Sequence, residues 1–472
     1  MSGMTRRRLL QLGLVGAGAI ALAACAPEVA EEEPIVEVEE PEEEAPEPAG
    51  DAITLRFLTR QGDMGIHHRE FASRYEDSTD GRVTVESEEV PWDEVLKTLM
   101  TQYVTGTMVD LTWGDNAWFP RLGAAGAMLV IEPYVEASDM DLSRWFNLEW
   151  FRKWTDGELS GLGGCAGCHE IVTFYDKEWV TEAWGKEPED DWTLDEWWEM
   201  QVACVDFKGG PGNGHFAEPP VTGGGHGAHA YYARWNKEDV DKGFIDREGK
   251  TSLFNSEPTQ EGIQFVIKGL QDGYFPGRED LHEEGWFPMF MGGMLPSFTS
   301  NPGASSGMVE GSKENDIDLG VVLGPCGPTC EPPHEVRIHT PYTNMFGIYS
   351  GTEHPEESFE LMRMVSSEES MTWLCLETGK QPGAQLDSWY DERIVEKFPW
   401  FPKIADLMLE SEEKGTSYFP MAANTRYGEW TDVGNNEIPP LIYGDIEYNQ
   451  SNIDMINDRL QEIIDLPMPE SS

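Results

Sequence analysis

Apolar and polar positions alternate over 52–58 (AITLRFL), recur at helical spacing over 65–75, and alternate again over 82–86. This reads as strand, helix, strand. Between 92 and 104, Val95, Leu96, Leu99, Met100 and Tyr103 form the stripe of an amphipathic helix, which Gly106 ends. The apolar run 109–113 predicts a strand buried in a sheet. Gly114-Asp115-Asn116 then turns the chain into a second helix over 117–125. Strands alternating with helices predict an α/β fold. In such a sheet the turns at the carboxyl ends of strands line the ligand crevice. Asp115 and Asn116, with Trp113 and Trp118 beside them, therefore stand where a small molecule would bind. A capping turn between two core tryptophans is the competing reading.

Further along, Thr193-Leu194-Asp195-Glu196 is a capping box that opens a helix over 194–204. Pro258 sits in the first turn of a helix over 255–270. Strands are expected at 295–301, 316–323 and 342–349, a long helix at 356–377, and a terminal amphipathic helix at 452–464. The glycine-rich stretch 209–230 holds His215, His226 and His229. His226 and His229 have a metal-ligand spacing, but no H-E-x-x-H pattern accompanies them, so a loop is preferred and no metal is assigned.

The first residues describe a leader. Thr5-Arg6-Arg7-Arg8 precedes an uncharged apolar run, 12–24, which fits a signal peptide over 1–25 and is too short for a membrane span. Leu22-Ala23-Ala24-Cys25 resembles the bacterial lipobox, in which the cysteine is acylated. The stretch 26–50 is rich in Glu and Pro with no basic residue, so a disordered acidic tether is expected. The remaining roughly 420 residues exceed what one core supports, and two lobes are expected.

Charge removes several classes of function. Lys and Arg number 33 against 87 Asp and Glu, a net −54. Nucleic acid and anionic lipid headgroups both need a basic face, so neither is an expected partner. An anionic solute is disfavoured too, unless arginines concentrate in the cleft. No nucleophile elbow, P-loop or H-E-x-x-H is present, and no enzyme activity is expected. A secreted glycosidase stays as a lesser alternative, because carboxylate pairs are uninformative in so acidic a chain.

Several segments, taken in order, carry a resemblance. They are the WDEVLKTL helix at 92–99, the Gly106…Asp110-Leu111-Thr112-Trp113 strand, GAMLVIEPY at 126–134, and the run from Tyr175-Asp176-Lys177 to the Trp192-Thr193 helix start. This order resembles the extracellular solute-binding proteins of ABC importers, above all the large sugar-binding class that includes maltodextrin-binding protein. The resemblance implies a two-lobed periplasmic-binding-protein-like α/β fold, each lobe a sheet flanked by helices, with a multi-segment hinge. By the family's layout, lobe 1 comprises 51–163 and 327–402, and lobe 2 comprises 164–326 and 403–472, while the strands expected at 316–323 and 342–349 read as returning to lobe 1. It also implies a monomer, lipid-anchored at the outer face of the cytoplasmic membrane, that captures a sugar or oligosaccharide and delivers it to an ABC permease. Polyols, peptides and opines stay open as solutes.

Sugars present flat C–H faces and rings of hydroxyls, so their sites pair aromatic plates with short polar side chains. The resemblance places such groups in six regions. Arg60 and Asp63 lie on the first cleft loop, Asp115, Asn116 and Trp118 after the buried strand, and His169 in the first hinge segment. Tyr231 and Trp235 fall among the second lobe's aromatic plates, and Asn301 ends a strand. Tyr427 and Trp430 fall where relatives bring a last aromatic to the cleft. A handful of such contacts reaches micromolar binding, about −8 kcal/mol.

The hinge segment 158–175 departs from the family pattern. The usual proline is missing, and Cys165-Ala166-Gly167-Cys168-His169 stands in its place. That string has the form of a c-type haem attachment site, so an exported haem lipoprotein is a second reading, although no second axial ligand or apolar pocket is evident and no cofactor is assigned. Setting Cys25 aside, six cysteines remain, an even number for an oxidising compartment. In the family's layout Cys326 and Cys330 lie on the second crossing segment. Cys165 and Cys168 then bridge to Cys326 and Cys330, or each pair closes locally; zinc held by the four is a third option. Cys204 and Cys375 lie in apolar helical runs and are expected to be buried thiols.

Overall fold

The computed structural model describes residues 52–169, 171–220, 223–235, 243–280, 285–328, 340–415 and 424–467. The expected leader, Cys25, the tether and Cys330 lie outside these residues. Eight strands are described: β1 (Ile53–Arg60), β2 (Val83–Val90), β3 (Leu111–Asp115), β4 (Leu162–His169), β5 (Val172–Asp176), β6 (Ser297–Ser300), β7 (Leu319–Leu323) and β8 (Thr340–Ile348).

They form two sheets. The larger has the order β2-β1-β3-β8-β4, the smaller β6-β5-β7. β1 runs parallel to both β2 and β3, so the carboxyl ends of these strands share one edge. β8 is antiparallel to β3 and to β4, and β5 is antiparallel to both of its neighbours. Leu55, Phe57 and Leu58 on β1 are fully buried, as a central parallel strand covered on both faces requires.

Three apolar clusters hold the fold. One surrounds the larger sheet and joins Phe57, Trp113 and Phe346 to Met362 and Leu374. A second gathers the helices Leu194–Phe207, Glu257–Gln271, Tyr427–Ile442 and Gln450–Ile464 around Trp197, Tyr232 and Trp430. A third joins Cys168 and Phe174 to Trp389, Phe398 and Phe401.

Local signals act as the sequence implies. Gly106, at φ 69°, closes the helix Trp92–Thr105 in the left-handed conformation that glycine tolerates. The Thr193 hydroxyl accepts from the Glu196 N–H at 3.1 Å, and the Glu196 carboxylate accepts from the Thr193 N–H at 3.1 Å.

Three elements differ from expectation. The strand expected at 109–113 is β3, two residues later, so Asp115 is a strand end rather than a turn residue. The helix expected over 356–377 is two, Pro355–Val365 and Glu368–Thr378. Ser366 and Ser367 divide them: the Ser366 hydroxyl donates back to the Met362 carbonyl at 2.7 Å, and the Ser367 hydroxyl caps the second helix by accepting from the Ser370 N–H. Finally, β7 does not return to the larger sheet. It pairs with β5, Thr173 opposite Val322, and of the two late strands β8 alone joins the larger sheet. An apolar run specifies a strand but not its partner. Among the described residues no helix is long and apolar enough to cross a membrane.

Candidate functional site

Parallel pairing of β1 with β3 brings Arg60 and Asp115, their last residues, to one edge of the larger sheet. β6 in the smaller sheet delivers Asn301 immediately after its end. The first half of β8 contributes Tyr342 and Asn344, and the turn after helix Glu368–Thr378 contributes Lys380 and Gln381. Together with Met64, Trp92, Cys165, Gly303 and Ala304 these residues enclose a cavity of about 410 Å³.

The polar groups are held in place. Asp115 is 7% exposed, and its carboxylate accepts from the Ala117 N–H at 2.8 Å. Asn301 accepts from the Gly303 N–H at 2.8 Å and from the Tyr342 hydroxyl at 3.4 Å, while the Gln381 amide donates to the Tyr342 oxygen. Burial, reinforced by Cys165, Cys168 and Asp115, pushes the Tyr342 phenol well above its usual value, so it serves as a neutral donor and acceptor. Burial likewise pushes the Cys165 thiol up to about 12, and the thiol stays protonated. The Lys380 ammonium lies 3.4 Å from the Asp63 carboxylate at the rim. Arg60 places its guanidinium carbon 5.5 Å from the centroid of the Trp92 ring and 5.7 Å from that of Trp113. Its Nε is buried and has no hydrogen-bond partner.

The residues singled out in the sequence distribute unevenly. Arg60, Asp115 and Asn301 meet in the cavity, and Asp63 reaches it through Lys380. Trp118 is half-buried and packs its ring on Trp92 at 4.7 Å, which makes it a support for a lining residue. Asn116 is buried with both amide atoms unpartnered, outside the lining. The aromatic plates are elsewhere. Tyr231, Tyr427 and Trp430 belong to the second core cluster, and the half-buried Trp235 packs on Phe265 at 5.3 Å. Tyr427 and Trp430 are three positions apart on one helix, and that spacing turns both rings to the same inward face. The His169 side chain lies outside the described groups; its backbone pairs with Thr340.

The cysteines correct the hinge expectation. Cys165 and Cys168 are buried, unbridged thiols. An odd spacing on a strand sends them to opposite faces, Cys165 into the larger sheet's core and Cys168 into the third cluster. They cannot close a local bridge. The backbone neighbour of Cys165 is Gly383, and that of Cys326 is Thr193, so the expected cross-bridge to Cys326 does not form. Opposed faces also prevent both sulfurs from meeting one porphyrin edge, and they undo the four-cysteine zinc option. Cys204 and Cys375 are buried thiols, as expected.

Sequence reasoning missed Met64, Trp92, Tyr342, Asn344, Lys380 and Gln381 as lining residues. A signal existed for two of them, because the Thr378-Gly379-Lys380-Gln381-Pro382 turn resembles one of the solute-binding family.

Residues 70–385 match the family model described as bacterial extracellular solute-binding protein. No curated protein matches the chain in sequence. Solved structures share the fold. An ABC substrate-binding protein from Listeria monocytogenes in complex with cycloalternan superposes with a TM-score of 0.68 at 16% identity, covering 87% of this chain and 99% of that one. The sugar-binding protein MalE of Xanthomonas citri gives 0.68 at 16%, covering 87% and 97%. An ABC transporter solute-binding protein from Thermotoga lettingae bound with α-D-tagatose gives 0.67 at 14%, covering 88% and 100%.

Proposed function

Since the chain belongs to the bacterial extracellular solute-binding proteins, we propose that it captures a small sugar or sugar-like solute and presents it to the membrane subunits of an ABC importer. The observation that carries this reading is the convergence of strand-end residues from two separate sheets, Arg60 and Asp115 from one and Asn301 from the other, on a single cavity. Asp115, Asn301, Asn344 and Gln381 suit ring hydroxyls, and the indole of Trp92, 40% exposed, suits a C–H face. An ionised aspartate accepting hydroxyl protons contributes about 1.5–3 kcal/mol per contact. Contacts made from both halves favour a closed state by their differential affinity. The similar proteins bound with cycloalternan and tagatose support a carbohydrate.

In this reading the protein works as a monomer, tethered by a lipid on Cys25 and the acidic stretch after it, at the outer face of the cytoplasmic membrane. Hydrolysis is disfavoured, because a glycosidase needs two facing carboxylates and Asp115 is the one carboxylate among the lining residues. Thermal-shift screening of sugars and polyols, followed by calorimetry, is the test. A saturable shift without turnover of the ligand supports the proposal, and a silent panel or hydrolysis of the bound sugar rejects it.

A further inference from the structure

We infer that the solute carries a carboxylate, as a uronate or an aldonate does, and that Arg60 selects it. The inference rests on the sugar-binding reading above and narrows it.

The starting point is an imbalance. Carboxylates far outnumber basic groups in this chain, and arginines are accordingly occupied. Arg56, Arg74, Arg82 and Arg152 each hold a glutamate. So do Arg121 and Arg459, on or near the other half. Arg60 differs. It forms no ion pair among the described residues, its Nε is buried without a partner, and it faces a cavity rather than bulk water. A guanidinium that lines a cavity and has no carboxylate partner is open to an anionic group of the solute.

The surroundings define what that something is. The rings of Trp92 and Trp113 both lie within cation–π range of the guanidinium. A guanidinium is planar and presents a fork that matches a carboxylate bidentately. Lys380 does not compete for the anion, because its ammonium is already shared with Asp63. A single uncommitted cation suits a monoanion. Arg60 and Lys380 are the two cations of the lining, and Lys380 is answered by Asp63 at the rim, so Arg60 is the lining cation left without an ion pair among the described residues. The remaining polar lining is amide, from Asn301, Asn344 and Gln381. Amides offer both donors and acceptors, as a polyhydroxylated body needs and a simple aliphatic acid does not.

Calorimetry on the purified protein decides the matter, with D-galacturonate, D-glucuronate and D-gluconate set against D-galactose, D-glucose and sorbitol, and with succinate as a carboxylate that is not a sugar. At least one acidic sugar is expected to bind tenfold or more tightly than its neutral counterpart, and Arg60→Gln to erase that difference. Should Arg60→Gln not fold, Arg60→Lys serves in its place: it keeps the charge but loses the fork, and the preference should shrink severalfold. Equal binding of acid and neutral sugar overturns the inference while leaving the sugar-binding reading intact. Binding of succinate without any sugar overturns both. A panel in which no acidic sugar binds also overturns the inference.

Discussion

Tyr427 and Trp430 stack with their ring centroids 6.1 Å apart and their planes 19° from parallel, sealed inside the second core cluster. Phe244 meets Trp430 at 6.3 Å. Truncating so large a buried ring leaves a void that its neighbours fill only in part. Trp430→Ala is therefore expected to lower the free energy of unfolding by about 3–5 kcal/mol, read from urea unfolding followed by circular dichroism. Trp92→Ala should do the opposite. Its ring is 40% exposed on the cavity wall, so the unfolding midpoint stays near that of the wild type. Ligand affinity falls instead, by roughly two- to tenfold, the equivalent of one aromatic contact. A destabilised Trp92→Ala with unchanged affinity would reverse the assignment.

Arg121 pairs with Glu429 at 3.3 Å and thereby joins the helix after β3 to the helix Tyr427–Ile442 of the second cluster. Arg426 shares the same carboxylate at 3.0 Å. A contact made between halves when they close adds its own free energy to ligand affinity. This pair is 25% and 36% exposed, so water screens it, and it is worth at most about 1 kcal/mol. Arg121→Ala is expected to weaken binding by less than about tenfold, and by less still at high salt. Titrations at two ionic strengths check both statements. A loss of a hundredfold, or one insensitive to salt, would mean that Arg121 touches the solute.

Much of this architecture is legible in the sequence, and the limits have physical causes. Asp115 was placed by one rule, that strands in an open sheet present their carboxyl ends to the ligand, whereas Arg60 was placed by the family resemblance, on the first cleft loop. Asn301 likewise came from the resemblance, as the end of the strand before it. Tyr342 was missed because it reaches the cavity only when β8 inserts between β3 and β4, a pairing between residues far apart in the chain, and Lys380 and Gln381 because they arrive on the turn after the helix Glu368–Thr378. Tyr427 and Trp430 were misplaced for a different reason. Aromatics three positions apart on a helix share a face, and local pattern says only that the face is apolar, not whether it meets core or cleft. β7 illustrates the same limit, since its apolar run fits either sheet equally well.

His67 and His68 sit side by side inside the larger sheet's core. The His67 Nε2 is 2.7 Å from the Ser370 hydroxyl, and the His68 Nδ1 meets the Thr59 hydroxyl. Burial, with a nearby arginine adding to it, pushes His67 down to about 3, and burial beside His67 and Arg60 holds His68 well below the usual range. The folded protein thus keeps both rings neutral, while the unfolded chain protonates them near pH 6.5. The unfolded state binds more protons throughout that window, so each histidine removes stability as pH falls from about 6.5 toward 3, by up to about 1.4 kcal/mol per pH unit. Buried Glu218, whose carboxyl is pushed up by burial, acts in the opposite sense. The comparison to make is therefore between wild type and His67→Gln: the variant should show a flatter loss of stability below pH 6.5. In proton NMR, neither ring should titrate between about pH 5 and 8 in the folded wild type. A titration near 6.5 would show that the rings reach water.

Cys165 and Cys168 supply a test of strand register. Burial pushes the Cys165 thiol up to about 12 and the Cys168 thiol well above the usual range. The thiolate is the reactive form, so neither should react with a disulfide reagent at neutral pH while the chain is folded, and both should react once it is unfolded. A soluble oxidant applied to the folded protein should give no Cys165–Cys168 bridge on peptide mapping, because the two sulfurs leave β4 on opposite faces. The alternative outcome has a definite meaning. Side chains alternate along a strand, and a slip of one residue between Cys165 and Cys168 would bring both thiols to one face. β4 already shows a register irregularity between Gly163 and Ala166, so a native bridge would place a second one inside the Cys-Ala-Gly-Cys stretch and would move Cys165 out of the cavity wall.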